Sequence, residues 1–247
     1  MRLSETNLKT AMTNTPALEI SGLNAWYGES HVLHGIDLKV DPGEVVCLLG
    51  RNGAGRTSTL RSILGLTSRT SGSIKINGVD LGGKNTHEIA RMGIGYCPEE
   101  RGIFTSLSCE QNLMLPPVVG DGRAMTIDEI YGMFPNLKER RNSPGGRLSG
   151  GEQQMLAIAR ILRTGASLLL LDEITEGLAP VIVQKLGDVV RTLKERGFTV
   201  VLVEQNFRFA SQLADRNYVI EHGKVVLMVN KEELSEKQKE LETLLGV

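Results

Sequence analysis

The chain has 247 residues, room for one large domain or two small ones around a buried core, and not for a multidomain array. Lys and Arg total 28 against 29 Asp and Glu, a formal charge of -1, so no bulk field exists to hold nucleic acid or an acidic membrane, and any bound anion must be gripped locally. Its 28 glycines exceed the usual share, pointing to tight turns and close backbone approach, while three cysteines without metal-like spacing fit a reducing compartment better than a disulfide scaffold.

The lead over residues 1–16 is polar and lacks an apolar h-region, which argues against a secretory signal and predicts a disordered segment. No apolar run reaches the roughly 18 residues of a membrane span, so we expect a protein of the cytoplasm. Runs rich in Val, Ile and Leu predict strands at 18–23, 32–40, 44–49, 73–76, 93–97, 167–171, 198–203, 218–221 and 224–229. They alternate with helical segments, the pattern of an α/β chain whose parallel sheet is covered by helices. Between about Ser108 and Arg147 the strand signal vanishes, and Cys109 to Leu115 and Thr126 to Phe134 read as helices split by Pro116, Pro117 and a Gly-rich turn. Lys231 to Leu245, with leucines at 234, 241, 244 and 245, predicts a C-terminal helix with a partly apolar face.

Three segments carry chemistry. Directly after the strand at 44–49 come Gly50, Arg51, Asn52, Gly53, Ala54, Gly55, Arg56, Thr57 and Ser58, followed by a helical stretch. Glycines here let successive N–H groups turn inward toward an anion, and the helix N-terminus adds partial positive charge. Thr57 offers a hydroxyl to Mg²⁺, and the run matches G-x-x-x-x-G-K-[ST] except that Arg56 stands at the lysine position. The second segment, Leu168 to Leu171 followed by Asp172 and Glu173, is a buried strand delivering two carboxylates at its C-terminal end. Asp172 is suited to hold Mg²⁺ and Glu173 to polarise a water attacking a γ-phosphate. The third, Leu148, Ser149, Gly150, Gly151 and Glu152, opens a helix, and by itself also reads as a capping box.

In this order the three segments resemble the nucleotide-binding subunit of an ATP-binding-cassette transporter, over about Leu18 to Leu227. The resemblance implies a P-loop NTPase-type, mostly parallel sheet with an N-terminal antiparallel β subdomain and a helical subdomain inserted at about 100–150. The nucleotide-binding domain would then cover 17–230, with 231–247 a C-terminal helix. It implies ATP and Mg²⁺ as ligands, Tyr27 stacked on adenine, Glu99 touching the metal beside Thr57 and Asp172, and Gln205 at the switch position. It further implies that two such subunits close head to tail, so that Ser149, Gly150, Gly151 and Glu152 of one cover the ATP held by the other. The partner is a paralogue or a second copy of this chain. Two transmembrane permeases would dock on the helical insert at the cytoplasmic face of the membrane, with a periplasmic solute-binding protein behind them, and no nucleic acid is involved.

Pro-Glu-Glu-Arg-Gly-Ile-Phe (98–104), Gly-Leu-Ala-Pro (177–180), Val-Glu-Gln-Asn (203–206) and Leu-Ala-Asp-Arg (213–216) look like the ATPases of branched-chain amino acid importers, with the urea and amide importers sharing much of this wording. Arg56 departs from the family, because arginine brings a planar fork where lysine is a compact point charge. From it we expect nucleotide binding with slowed phosphate transfer. Gln205 replaces a histidine and titrates no proton, so it acts by hydrogen bonding. These two departures keep a second reading open, an ATP-binding regulatory half of an asymmetric dimer. Ile174 stands where a proline usually follows Asp-Glu, and Ala179 where many relatives carry aspartate.

Overall fold

A computed structural model describes residues 15–119 and 124–246. Most of the polar lead and the Gly-rich turn at 120–123 lie outside the described residues. All nine expected strands are present, and two sheets organise them. The first is antiparallel, built from β1 (Leu18–Tyr27), β2 (Ser30–Val40), β4 (Arg69–Ile76) and β5 (Val79–Asp80) in the order β2-β1-β4-β5. The second holds β3 (Val45–Leu49), β6 (Ile94–Cys97), β7 (Leu168–Asp172), β8 (Thr199–Glu204), β9 (Arg216–Glu221) and β10 (Lys224–Asn230) in the order β10-β9-β3-β8-β7-β6. It is parallel except for the β9–β10 pair. Thus the chain is a mixed α/β fold with an antiparallel and a mostly parallel sheet.

Why the second sheet forms is visible in its side chains. Every residue of β3, β7 and β8 is buried, as expected of strands covered on both faces. Alternate residues enter different cores: Cys47, Leu169, Leu171 and Leu202 pack with the helices on one face, and Leu48, Leu168, Leu170 and Val201 pack with the antiparallel sheet on the other. Each fully buried Leu or Val contributes roughly 1.5–3 kcal/mol by transfer from water.

Helices complete the layers: α1 (Arg56–Ile63), α2 (Thr86–Ala90), α3 (Cys109–Met114), α4 (Ile127–Met133), α5 (Pro135–Glu139), α6 (Gly150–Arg163), α7 (Pro180–Glu195), α8 (Phe207–Leu213) and α9 (Leu234–Leu245). Between Ser108 and Arg147 the described residues form helices, a 3-10 turn and one isolated bridge, Ser108 with Pro144. Capping boxes at Ser108 and Thr126 start α3 and α4. The C-terminal helix begins later than its sequence suggests, since Lys231–Glu233 is a 3-10 turn, and it buries Leu241 and Leu245. Ile174 is fully buried in the helix-side core, which gives the apolar residue at that position a packing role. No described helix is long and apolar enough to cross a membrane.

Candidate functional site

Strands β3, β8 and β7 are neighbours, with Leu49 opposite Glu204 and Asp172 opposite Val203, so their C-terminal ends lie side by side. Each end leads into one candidate segment: 50–58 after β3, Gln205 after β8, and Asp172 with Glu173 at β7. Ends of adjacent parallel strands are where open α/β sheets hold ligands.

The loop after β3 depends on glycine at two positions. A Cβ on Gly50 would come within 2.3 Å of the Ile220 carbonyl oxygen, and Gly55, at φ 113°, caps α1 where a Cβ would meet the Leu33 side chain at 2.8 Å. Residues 52–58 then line a cleft of about 460 Å³ together with Val32, Glu99, Glu173 and Glu176. Gly53, Ala54, Asn52, Thr57 and Ser58 all border this space, whereas Arg51 turns to the other side of the loop, against Gly246.

Arg56 crosses the cleft. Its Nη2 donates to Glu173 Oε1 at 2.6 Å and to Asn52 Oδ1 at 3.3 Å, with the two charged side chains only 4% and 10% exposed. Gln205 Nε2 closes the ring, donating to Asn52 Oδ1 at 2.5 Å and to Glu173 Oε2 at 3.2 Å. Arg56 Nη1 is buried without a hydrogen-bond partner. A buried, unpartnered guanidinium nitrogen on a residue that lines the cleft can take an anion, since leaving it unpaired costs on the order of 1–3 kcal/mol or more. Glu173 itself sits at φ 47°, a strained conformation for a side chain of its size.

The second carboxylate is held differently. Thr57 Oγ1 donates to Asp172 Oδ1 at 3.0 Å, and the Tyr96 hydroxyl to Oδ2 at 3.1 Å. Burial pushes the Asp172 carboxyl up, the Glu173 and Glu99 charges add to this, and the two hydroxyls oppose it. Glu99 reaches the same mouth: carboxylate oxygens of Glu99, Glu173 and Glu176 lie within 4.8 Å of one another. Hydrogen bonding with Glu173, and its charge, hold Glu176 above the ordinary carboxylate range. This concentration of negative charge beside a threonine hydroxyl has the oxygen chemistry that Mg²⁺ requires, and the amide loop with its spare guanidinium nitrogen has that of a polyphosphate.

Two expected groups lie elsewhere. Tyr27, half-buried at the end of β1, faces Arg61 rather than the cleft; burial pulls the Arg61 pKa down, and the Tyr27 and Tyr96 hydroxyls raise it by more. The neighbouring Trp26 stacks on His31 at 4.2 Å, with the Arg69 guanidinium 4.2 Å over its ring. Ser149 is exposed and caps α6: its hydroxyl accepts from the Glu152 amide at 3.3 Å, and Glu152 Oε2 accepts from the Ser149 amide at 2.8 Å. Gly151 packs on Ile182, where a Cβ would come within 2.8 Å, and Gly150 lies beside Arg101. None of these signature residues borders the cleft. Tyr96, Glu176 and Glu204 join the site without having been expected there, although Tyr96 and Glu204 stand inside the motifs Tyr-Cys-Pro-Glu (96–99) and Val-Glu-Gln-Asn (203–206).

Comparisons with known proteins follow the same lines. The family model described as ABC transporter matches residues 33–176. The high-affinity branched-chain amino acid transport ATP-binding protein BraG of Pseudomonas aeruginosa is 41% identical, covering 85% of this chain and 91% of its own. The probable branched-chain amino acid transport ATP-binding protein LivF of Archaeoglobus fulgidus is 33% identical over 91% and 97% of the two chains. The lipopolysaccharide export system ATP-binding protein LptB of Escherichia coli is 34% identical over 81% and 85%. Among solved structures, a nucleotide-free ATP-binding cassette from an ABC transporter superposes with a TM-score of 0.80 at 20% identity, covering 94% of this chain and 99% of that one.

Proposed function

Because the chain belongs to the ABC transporter family, we propose that it is the ATP-binding and ATP-hydrolysing subunit of an importer for branched-chain amino acids. An ABC ATPase subunit follows from membership alone; the cargo is supported by the BraG and LivF relatives and by the four segments that resemble the ATPases of branched-chain amino acid importers. The observation that carries the catalytic reading is the ring of Arg56, Glu173, Gln205 and Asn52 across a glycine-loop cleft.

In this reading the phosphates of ATP take backbone amides of the loop at 50–58 and the unpartnered Nη1 of Arg56. Thr57, Asp172 and Glu99 would hold Mg²⁺, which when bound supplies neutralisation of phosphate charge. Glu173 accepts a hydrogen bond from the attacking water and polarises it, while Gln205 hydrogen-bonds to the water or the γ-phosphate. Tyr27 lies outside the phosphate cleft, and in this reading its ring meets adenine beyond the phosphates. In the ion pair with Arg56, Glu173 is engaged by the same guanidinium that the phosphates need, so incoming nucleotide competes for it. The broad arginine fork is therefore expected to give slower turnover than lysine.

A second subunit, a paralogue or a copy of this chain, completes the site by presenting its Ser149, Gly150, Gly151 and Glu152 to the γ-phosphate. Permeases dock on the segment between β6 and α6 at the cytoplasmic face of the membrane, and an external solute-binding protein delivers the cargo. The engaged state of Glu173 and the non-titrating Gln205 also favour a second reading, an ATP-binding regulatory half of an asymmetric dimer. ATP hydrolysis by the assembled complex carrying Glu173→Gln in this subunit alone separates the two: lost turnover supports the catalytic subunit, and unchanged turnover the regulatory one. Uptake of leucine, urea and amides by vesicles containing the complex tests the cargo.

A further inference from the structure

Glu204 takes no part in the chemistry above, yet it is a carboxylate only 2% exposed at the last residue of β8. Its Oε2 accepts from Thr175 Oγ1 at 2.8 Å, and the nearby backbone amides of Thr175 and Asn206 favour its ionised form. The remaining oxygen, Oε1, is buried without a partner. Thr175 lies two residues beyond Glu173, and Asn206 directly follows Gln205. One buried carboxylate thus ties the turn after β7 to the turn after β8. The same two turns are also joined by the Glu173 amide donating to the Val203 carbonyl at 2.9 Å and by Gln205 Nε2 donating to Glu173 Oε2 at 3.2 Å.

We infer that Glu204 is a positioning residue whose carboxylate clamps these two turns together and sets the distance between Glu173 and Gln205. This rests on the reading of Glu173 and Gln205 as the groups that face the γ-phosphate. A buried carboxylate is an expensive way to fill space, since taking its charge from water costs far more than burying an apolar side chain. What it provides is acceptor capacity: an ionised carboxylate takes several donors at once, and a protonated one gives up a lone pair to its own hydrogen. Burial pushes the Glu204 carboxyl up to about 7, against the pull of its Thr175 hydrogen bonds, with the Glu173 charge adding to the rise.

Among the described residues, the charged and titratable groups around it are Glu173 and Glu176 from the turn after β7 and Cys47 from β3. The Cys47 thiol is itself pushed well up by burial, so it stays neutral; Arg56, at the start of α1, also acts on that thiol. The clamp therefore tightens as pH rises through neutrality and Glu204 loses its proton. Stability moves the other way. With its folded-state pKa above the unfolded value, Glu204 favours the fold fully at low pH, and that contribution fades as pH climbs from the ordinary carboxylate range to about 7.

Glu204→Gln and Glu204→Ala in the full-length chain test this through ATP hydrolysis against pH, thermal unfolding against pH, and amide hydrogen exchange. For Glu204→Gln we expect a severalfold lower kcat with unchanged KM for ATP. The wild-type rise in turnover through neutral pH should disappear, and the melting temperature should exceed wild type at about pH 8 but not at about pH 5. For Glu204→Ala, exchange at the Thr175 and Asn206 amides should quicken together. A Gln variant that keeps the wild-type pH limb and is less stable at every pH overturns the clamp, as does faster exchange at only one of the two amides. Should the wild-type chain neither bind nor hydrolyse ATP, the functional reading fails, and the paired exchange still decides whether the clamp exists.

Discussion

The glycine loop at 50–55 and the segment Leu148–Glu152 are both junctions leading into a helix, and both are rich in small residues, but they differ in what satisfies their polar groups. Around the loop, side chains from three strand ends engage one another across 117 residues of sequence between Arg56 and Glu173 and 153 between Asn52 and Gln205. At the other junction, Ser149 and Glu152 cap each other's amides, Arg140 pairs locally with the second Glu152 oxygen at 3.4 Å, and Ser149 is exposed. The first region holds a cleft within one chain; the second holds a finished helix cap facing outward. In the proposed dimer, this cap, which borders no cleft of its own, acts on ATP from across the subunit boundary.

Glu173→Gln should strike the first region hardest, lowering hydrolysis by about 10²-fold or more while nucleotide still binds, as removal of a general base does. Radioactive phosphate release paired with fluorescent-nucleotide binding checks this, and loss of binding would break the assignment of roles. Substitutions at Ser149 sharpen the contrast. Ser149→Ala removes the cap at a cost of about 1 kcal/mol, whereas Ser149→Asp keeps it and puts an anion where the partner's phosphate would lie. Both variants are expected to lose hydrolysis, Asp without loss of melting temperature, and neither should alter nucleotide binding by an isolated subunit. An Asp variant with full turnover would show the segment to be a cap only. The smallest effect is expected from Arg56→Lys, a severalfold gain in turnover from freeing Glu173; hydrolysis no faster than wild type refutes the competition between Glu173 and nucleotide for the guanidinium.

The sheets were legible because β3, β7 and β8 are near-continuous apolar runs, which strands need when a core lies on each face. The two-residue strand Val79–Asp80 is too short to show a period, and its pairing with β4 is decided by the turn before it. Helix α7 was not singled out, although Pro180 at its first turn and its buried Leu186, Val190 and Leu193 are signals that could have found it. At the site, what is contiguous could be read: the loop, the two carboxylates and the capping pair. What depends on three dimensions could not. Tyr96 meets Asp172 only because β6 and β7 pair, and Arg56 meets Glu173 only because β8, lying between β3 and β7, brings their ends to one edge. No spacing rule links residues that far apart.

All three cysteines, Cys47, Cys97 and Cys109, are buried, and burial pushes Cys97 up to about 12 and Cys109 up to about 11. Protonated thiols out of reach of solvent react slowly with maleimides. The native chain is therefore a nearly silent background for site-directed labelling, needing no cysteine removed. A thiol placed by Arg147→Cys on the exposed turn before Ser149 would be the reactive one, and a spin label or fluorophore there could time the meeting of two subunits as nucleotide arrives.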